Sequence, residues 1–189
     1  MFDLNFREIT ISDAQLLLSW RTTKRISQFM GSEIDNDINK QEQWIQNSYN
    51  KNNYYHWIIQ SSDLPIGAIC VKDIDLLSEQ SSWGFYIGNE EYLGSGGFVP
   101  PYFYNWIFDT KKISFIKAYV FSELTKVIKI HQMHNYKLTP NEDEVITKNS
   151  KRILIKAMSL KSSDWYKLKY NKFRTDFPTL HWKHNPFID

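Results

Sequence analysis

Cysteine, glycine and long apolar runs are all scarce in this chain of 189 residues. A single cysteine, Cys70, excludes an intrachain disulfide and a thiolate metal site, and the apolar, strand-like segment around it, Ile66–Val71, marks it as inert core. No apolar run approaches the length that spans a bilayer, and the N-terminus carries Asp3 and Glu8 where a signal peptide has a basic start and an apolar centre. A soluble, cytoplasmic protein without membrane contact is expected. Neither sign of charge forms a block: 23 Lys and Arg against 21 Asp and Glu leave +2, so nucleic acid is not an expected partner. The histidines fall into no HExxH or Cys/His pattern, and no metal is expected.

Aromatic residues are plentiful at 16%, enough to build a core and line a pocket. The length suits one domain over 1–189, ending in an extended tail from about 174, and no composition break divides it. Phe6–Thr10 reads as a strand, followed by a capping box at Ser12–Gln15 and a helix over Leu16–Arg21. A second box at Asn39–Glu42 starts another helix; Lys24–Asp37 between them has no clear assignment. Tyr54–Gln60 and Ile66–Ile74 form a hairpin, and Trp83–Gly88 is a further strand. Val99–Thr110 is helical, with Pro100 and Pro101 confined to its first turn. Ser114–Phe121 is a strand, and Leu124, Val127, Ile128 and His131 share one face of the next helix, behind Ser122 as its cap. Arg152–Leu160 is a late strand, and Ser162–Phe173 a C-terminal helix. Antiparallel strands first and crossover helices later give an α/β (α+β) fold, a mixed sheet with helices on both faces.

Five of the seven glycines lie between Gly84 and Gly97, and the last three fall in Tyr92-Leu93-Gly94-Ser95-Gly96-Gly97, between a strand and a helix. Such a turn can gather backbone N–H groups into a phosphate cradle, or serve only as a tight entry to the helix. It lacks the Gly-Lys-Ser/Thr ending of a triphosphate loop and the G-x-G-x-x-G dinucleotide pattern, which leaves a pyrophosphate as its ligand.

Glu91–Gly96, between Trp83–Gly88 and an amphipathic helix, resembles the acyl-CoA loop of the GNAT superfamily of N-acetyltransferases, Gln/Arg-x-x-Gly-x-Gly/Ala. Leu18–Arg21, Phe29-Met30 and Glu42–Ile45 resemble the branch holding ribosomal-protein acetyltransferases and the amino-sugar acetyltransferases of pseudaminic acid synthesis. The resemblance implies a mostly antiparallel GNAT-like sheet with a splayed parallel strand pair, and acetyl-CoA as cosubstrate. Its pyrophosphate would meet the amides of Leu93, Gly94, Ser95, Gly96 and Gly97, and its pantetheine arm the backbone near Phe85 and Ile87, opposite Ala118–Phe121. The acceptor would be a small polar amine, by the nearer resemblance a nucleotide-linked amino sugar. A protein N-terminus is the second reading, and a CoA-binding module without turnover the third. Members of the superfamily often dimerise, so a homodimer is also implied.

Three residues depart from the family pattern: Glu91 for Gln or Arg, Leu124 for Asn, and His131 for the tyrosine that protonates the departing thiolate. His131 is either that acid or a core histidine. Glu123 is either a general base or an acid stabilising a helix N-terminus. Arg21 and Lys72 are candidates for acceptor phosphate or hydroxyl groups, or else a helix-end cation and a solvated lysine. Met30, Trp44 and Tyr55, with Tyr54 and Trp57, wall the acceptor pocket or pack the core.

Overall fold

A single sheet organises the computed structural model, which describes residues 3–31 and 33–180; the part of the expected tail at 181–189 lies outside the described residues. The strands are β1 (Leu4–Glu8), β2 (Tyr54–Ser61), β3 (Leu64–Asp75), β4 (Gln80–Ile87), β5 (Phe115–Phe121), β6 (Lys137–Leu138), β7 (Glu144–Lys148) and β8 (Lys151–Lys161). Their order is β1-β2-β3-β4-β5-β8, with β6 and β7 both paired to β8. Every pairing is antiparallel except β4 with β5, which run parallel. That parallel pair is in register only from Gln80–Phe115 to Ser82–Lys117; beyond these residues the strands separate.

The helices α1 (Ala14–Arg21), α2 (Lys24–Ser27) and α3 (Ile38–Ser48) cover one face, and α4 (Val99–Asn105) and α5 (Thr125–Met133) cover the other. Strand β2 is buried on both sides: Tyr55, Trp57 and Ile59 meet Val99, Phe103 and Trp106, while Ile58 meets Ile9, Leu17 and Ile45. Burying both faces of a strand leaves a near-continuous apolar run rather than an alternating one.

The first cap differs from the expected box. Asp13 accepts from the Thr10 amide at 2.8 Å and is gripped by Arg7 at 2.6 and 2.8 Å, so the chain turns at Thr10–Asp13 and α1 starts at Ala14. In α3, Asp37 rather than Asn39 is the cap, accepting from the amides of Asn39 and Lys40. The glycine segment is also not an open turn. Glu90–Gly97 winds as a 3-10 helix leading into α4, whose first turn carries the two prolines, and a π-helical turn extends α4 through Thr110.

Leu124, not Ser122, precedes α5. The expected C-terminal helix stops early: α6 (Ser162–Trp165) and one 3-10 turn end at Lys169, which has a left-handed φ of 56°. Asn105 then directs the chain, donating to the carbonyls of Tyr170 and Phe173 and accepting from Trp165 Nε1 at 2.7 Å. Phe177 ends the strap in the core, stacked on Phe6, and Trp57 Nε1 donates to the Pro178 carbonyl.

Candidate functional site

The gap between the separated halves of β4 and β5 opens into a cavity of about 700 Å³. Strand parity decides which side chains reach it. His56, Cys70 and Gly84 lie directly opposite one another across β2, β3 and β4, and all three line it. A Cβ added at Gly84 meets nothing within 4 Å, so the missing side chain leaves open space in the floor. Gly88 is a glycine for a different reason: a Cβ there would fall 2.0 Å from Trp20 Cδ2, which fastens α1 to the end of β4.

Of the residues singled out from the sequence, the cavity collects Arg21, Met30, Trp44, Lys72, Phe85, Ile87, Leu93 and His131. Tyr55 requires a correction. It points to the opposite face, wholly buried and stacked on Trp57, and its neighbour Tyr54 lines the cavity instead. Glu123 is exposed and lies outside the cavity lining, so it is not placed to act as a base there. Cys70 is also corrected from inert core to cavity wall; burial raises its thiol pKa, so it stays protonated at neutral pH.

Arg21 is held from two sides. Its guanidinium carbon sits 4.5 Å above the Trp44 ring, and Nη1 donates to Gln41 Oε1 at 2.8 Å. These contacts fix the planar fork while leaving most of its donors for a ligand. Lys72 is half-buried on β3 opposite Tyr54 and makes no ion pair among the described residues. Arg25 is already engaged: it donates to the carbonyls of Ile87 and Gly88 at 2.9 and 2.7 Å and approaches Glu90. No Asp or Glu lines the cavity among the described residues, so its charge is positive.

Two histidines line the cavity. Ser48 Oγ donates to the Ile45 carbonyl and therefore accepts from His56 Nε2, 3.0 Å away, and burial lowers the His56 pKa to about 3. His131, on the inner face of α5, has Nδ1 2.9 Å from the Val127 carbonyl. A carbonyl only accepts, so Nδ1 carries the hydrogen and Nε2 holds a lone pair. The ring lies beside Trp83 and edge-on to Tyr136, and burial lowers its pKa, opposed by the Val127 bond. His131 is thus neutral at pH 7, a buried ring in the cavity wall whose Nε2 is a proton acceptor.

The glycine helix borders the same cavity through Leu93. Ser95 is fully buried with Oγ bonded to the Tyr92 carbonyl at 2.7 Å, so its hydroxyl faces inward. No glycine among the described residues has a positive φ. A Cβ at Gly97 meets nothing, and one at Gly96 makes only ordinary contact with Ile87 and Phe85. The sequence reading missed Arg25, Tyr86 and Tyr119 as well as the placement of Cys70, because only strand register and the path of α2 bring them here.

Among the described residues no group of three or more His, Cys, Asp or Glu could hold a metal ion, and no helix is long and apolar enough to cross a membrane.

The family model described as an acetyltransferase (GNAT) domain matches residues 3–134. Two acetyltransferases named PseH are similar in sequence. That of Campylobacter jejuni subsp. jejuni serotype O:2 is 24% identical over 132 residues, covering 70% of this chain and 82% of the relative. The serotype O:23/36 protein is 21% identical over the same coverage. Among solved structures, the Vibrio cholerae spermidine N-acetyltransferase in complex with CoA and spermine superposes with a TM-score of 0.78 at 14% identity, over 86% of this chain and 98% of that one. This last likeness is one of fold.

Proposed function

Since the chain belongs to the GNAT acetyltransferase family, we propose that it transfers an acetyl group from acetyl-CoA to the primary amine of a small, negatively charged acceptor, a nucleotide-linked amino sugar. The observation that carries this reading is the cavity's charge: Arg21 and Lys72 line it with no ion pair among the described residues, beside Arg25, which is paired with Glu90, and no carboxylate lines the wall. A polyamine or a protein N-terminus would bring more positive charge to unneutralised cations, whereas a nucleotide diphosphate supplies the missing anion. PseH in Campylobacter jejuni, a sequence relative, is named an acetyltransferase, which agrees with the acetyl transfer itself.

Acetyl-CoA enters beside the glycine helix, with its pyrophosphate on the backbone of Gly94, Gly96 and Gly97 and its arm along Phe85 and Ile87. The fold itself explains glycine at Gly88 but not at Gly97, where a side chain has open space. A ligand approaching the backbone supplies the reason for that absence of a side chain. Gly97→Val is therefore expected to leave thermal stability unchanged and weaken acetyl-CoA binding about tenfold or more, measured by isothermal titration calorimetry. Equal affinity in the variant and the parent would remove the coenzyme from this segment.

In the reaction, His131 Nε2 takes a proton from the acceptor ammonium. The freed amine attacks the thioester carbonyl, the carbon–sulfur bond breaks, His131 returns its proton to the thiolate, and the second proton on the attacking nitrogen passes to water, so an ammonium and a thioester become an amide, a thiol and one released proton. Arg21 and Lys72 hold the anionic part of the acceptor away from the reacting amine. Release of free thiol on mixing acetyl-CoA with a nucleotide-linked amino sugar is the expected result; no release with any such acceptor would leave a CoA-binding module.

A further inference from the structure

The tip of the β7–β8 hairpin, which has no part in the chemistry above, reaches the edge of the cavity. The two strands are joined through Asn149 and Ser150, both at left-handed φ angles of 49° and 60°, and the last strand pair is Lys148 with Lys151. Such a two-residue turn sets the direction of the side chains that flank it. Lys148 Nζ donates to two backbone carbonyls of another segment, Ser27 at 2.5 Å and Met30 at 2.6 Å.

Those carbonyls end α2 and its following turn, where a cation is favoured by the helix dipole and by unsatisfied acceptors. The segment from Lys24 to Gly31 bridges the opening between the separated strands. Arg25 ties it to the carbonyls at the end of β4, and Phe29 meets Phe121 at the end of β5 edge-on, with ring centroids 5.6 Å apart. Phe29, Met30 and Gly31 line the cavity from above. A four-residue helix has too few internal hydrogen bonds to hold itself, and Ile26 is its one buried apolar anchor. Its position therefore depends on ties from its neighbours.

We infer that Lys148 is a positioning residue for the cavity: it latches residues 24–31 as a lid across the gap between β4 and β5 and sets the opening through which the acceptor enters. That the opening admits an acceptor rests on the function proposed above; the latch itself does not.

Cys70, the one cysteine of the chain, lies in the cavity wall and serves as a built-in probe. The rate at which N-ethylmaleimide modifies it in the folded, full-length protein reports how often the lid opens. Lys148→Met, which keeps the stem and removes the donors, is expected to raise that rate about tenfold, in line with loss of charge-assisted hydrogen bonds. Lys148→Arg is expected to restore a rate near that of the parent. Lys156→Met removes the ion pair to Asp143 in the same hairpin, away from the lid, and controls for general loosening. An unchanged rate in Lys148→Met, or equal acceleration in Lys156→Met, would overturn the latch. The expected labelling pattern in a protein that transfers no acetyl group would retain the latch and reject only the acceptor reading.

Discussion

Replacing His131 by Phe is expected to lower kcat about 10²–10³-fold while leaving acetyl-CoA affinity unchanged, the range typical of losing one positioned acid–base group. Phenylalanine keeps an aromatic ring beside Trp83 and Tyr136, so the ring packing on the inner face of α5 is preserved, and the substitution removes the Nε2 lone pair together with the Nδ1 hydrogen bond to the Val127 carbonyl. The pH dependence carries the sign of the argument. Burial lowers the His131 pKa below its ordinary 6.5, so the ring is neutral and competent as a base at pH 7 and loses that competence only as pH falls through the depressed value. The acid limb of kcat against pH should therefore lie below 6.5 in the parent and disappear in His131→Phe. A residue acting first as an acid would give the opposite limb, with activity lost as pH rises. If His131→Phe kept both the parent rate and the parent acid limb, another group would be carrying the proton.

Arg21→Ala is the second large expectation: acceptor KM should rise about 10²-fold, as two charge-assisted hydrogen bonds at about 1.5–3 kcal/mol each are partly offset by water. Stacking on Trp44 and the bond to Gln41 orient the guanidinium before the ligand arrives, so little ordering remains to be done on binding. Arg21→Lys should recover only part of the loss, since an ammonium neither stacks as a plane nor offers a fork. The measurement is initial-rate kinetics at saturating acetyl-CoA; kcat should change far less than KM. A variant with unaltered KM would remove Arg21 from acceptor binding.

Most elements from β1 to α5, the hairpin and the inner face of α5 were legible because each rests on a local pattern, β-branched runs, turn residues, or apolar residues three and four apart, whereas the parallel pair followed from the family resemblance. Strand β7 was not. Glu144–Lys148 is a polar strand with both faces largely exposed, so it lacks the alternation that marks a half-buried strand. The short C-terminal helix was overread because Trp165 and Leu168 continue a helical spacing, while the break is made at Lys169 and the strap is drawn down by Asn105, some sixty residues earlier.

The candidate site divides in the same way. Arg21, Trp44, Lys72 and His131 stood out as charged or aromatic residues at element ends and on helix faces, and the cavity brings them together. Choosing Tyr55 over Tyr54 was a question of parity. On a strand buried from both sides no polar alternation separates the faces, and a shift of one residue exchanges them all. His131 could be placed on an inward face from its spacing, but its role depends on the Val127 carbonyl that takes the Nδ1 hydrogen. The charge of the cavity was likewise out of reach, because Arg21, Arg25 and Lys72 come from separate elements and the absence of carboxylates between them is a property of the assembled wall.

That charge is the centre of the functional account, and a direct competition tests it. The purified protein is given acetyl-CoA with a nucleotide-linked amino sugar or with spermidine, the substrate in the name of a protein that shares its fold, and kcat/KM is measured for each by thiol release. A cationic cavity predicts that the sugar nucleotide is preferred by about 10²-fold or more, the cost of placing like charges together without a counter-ion. Equal or greater transfer to spermidine would contradict it.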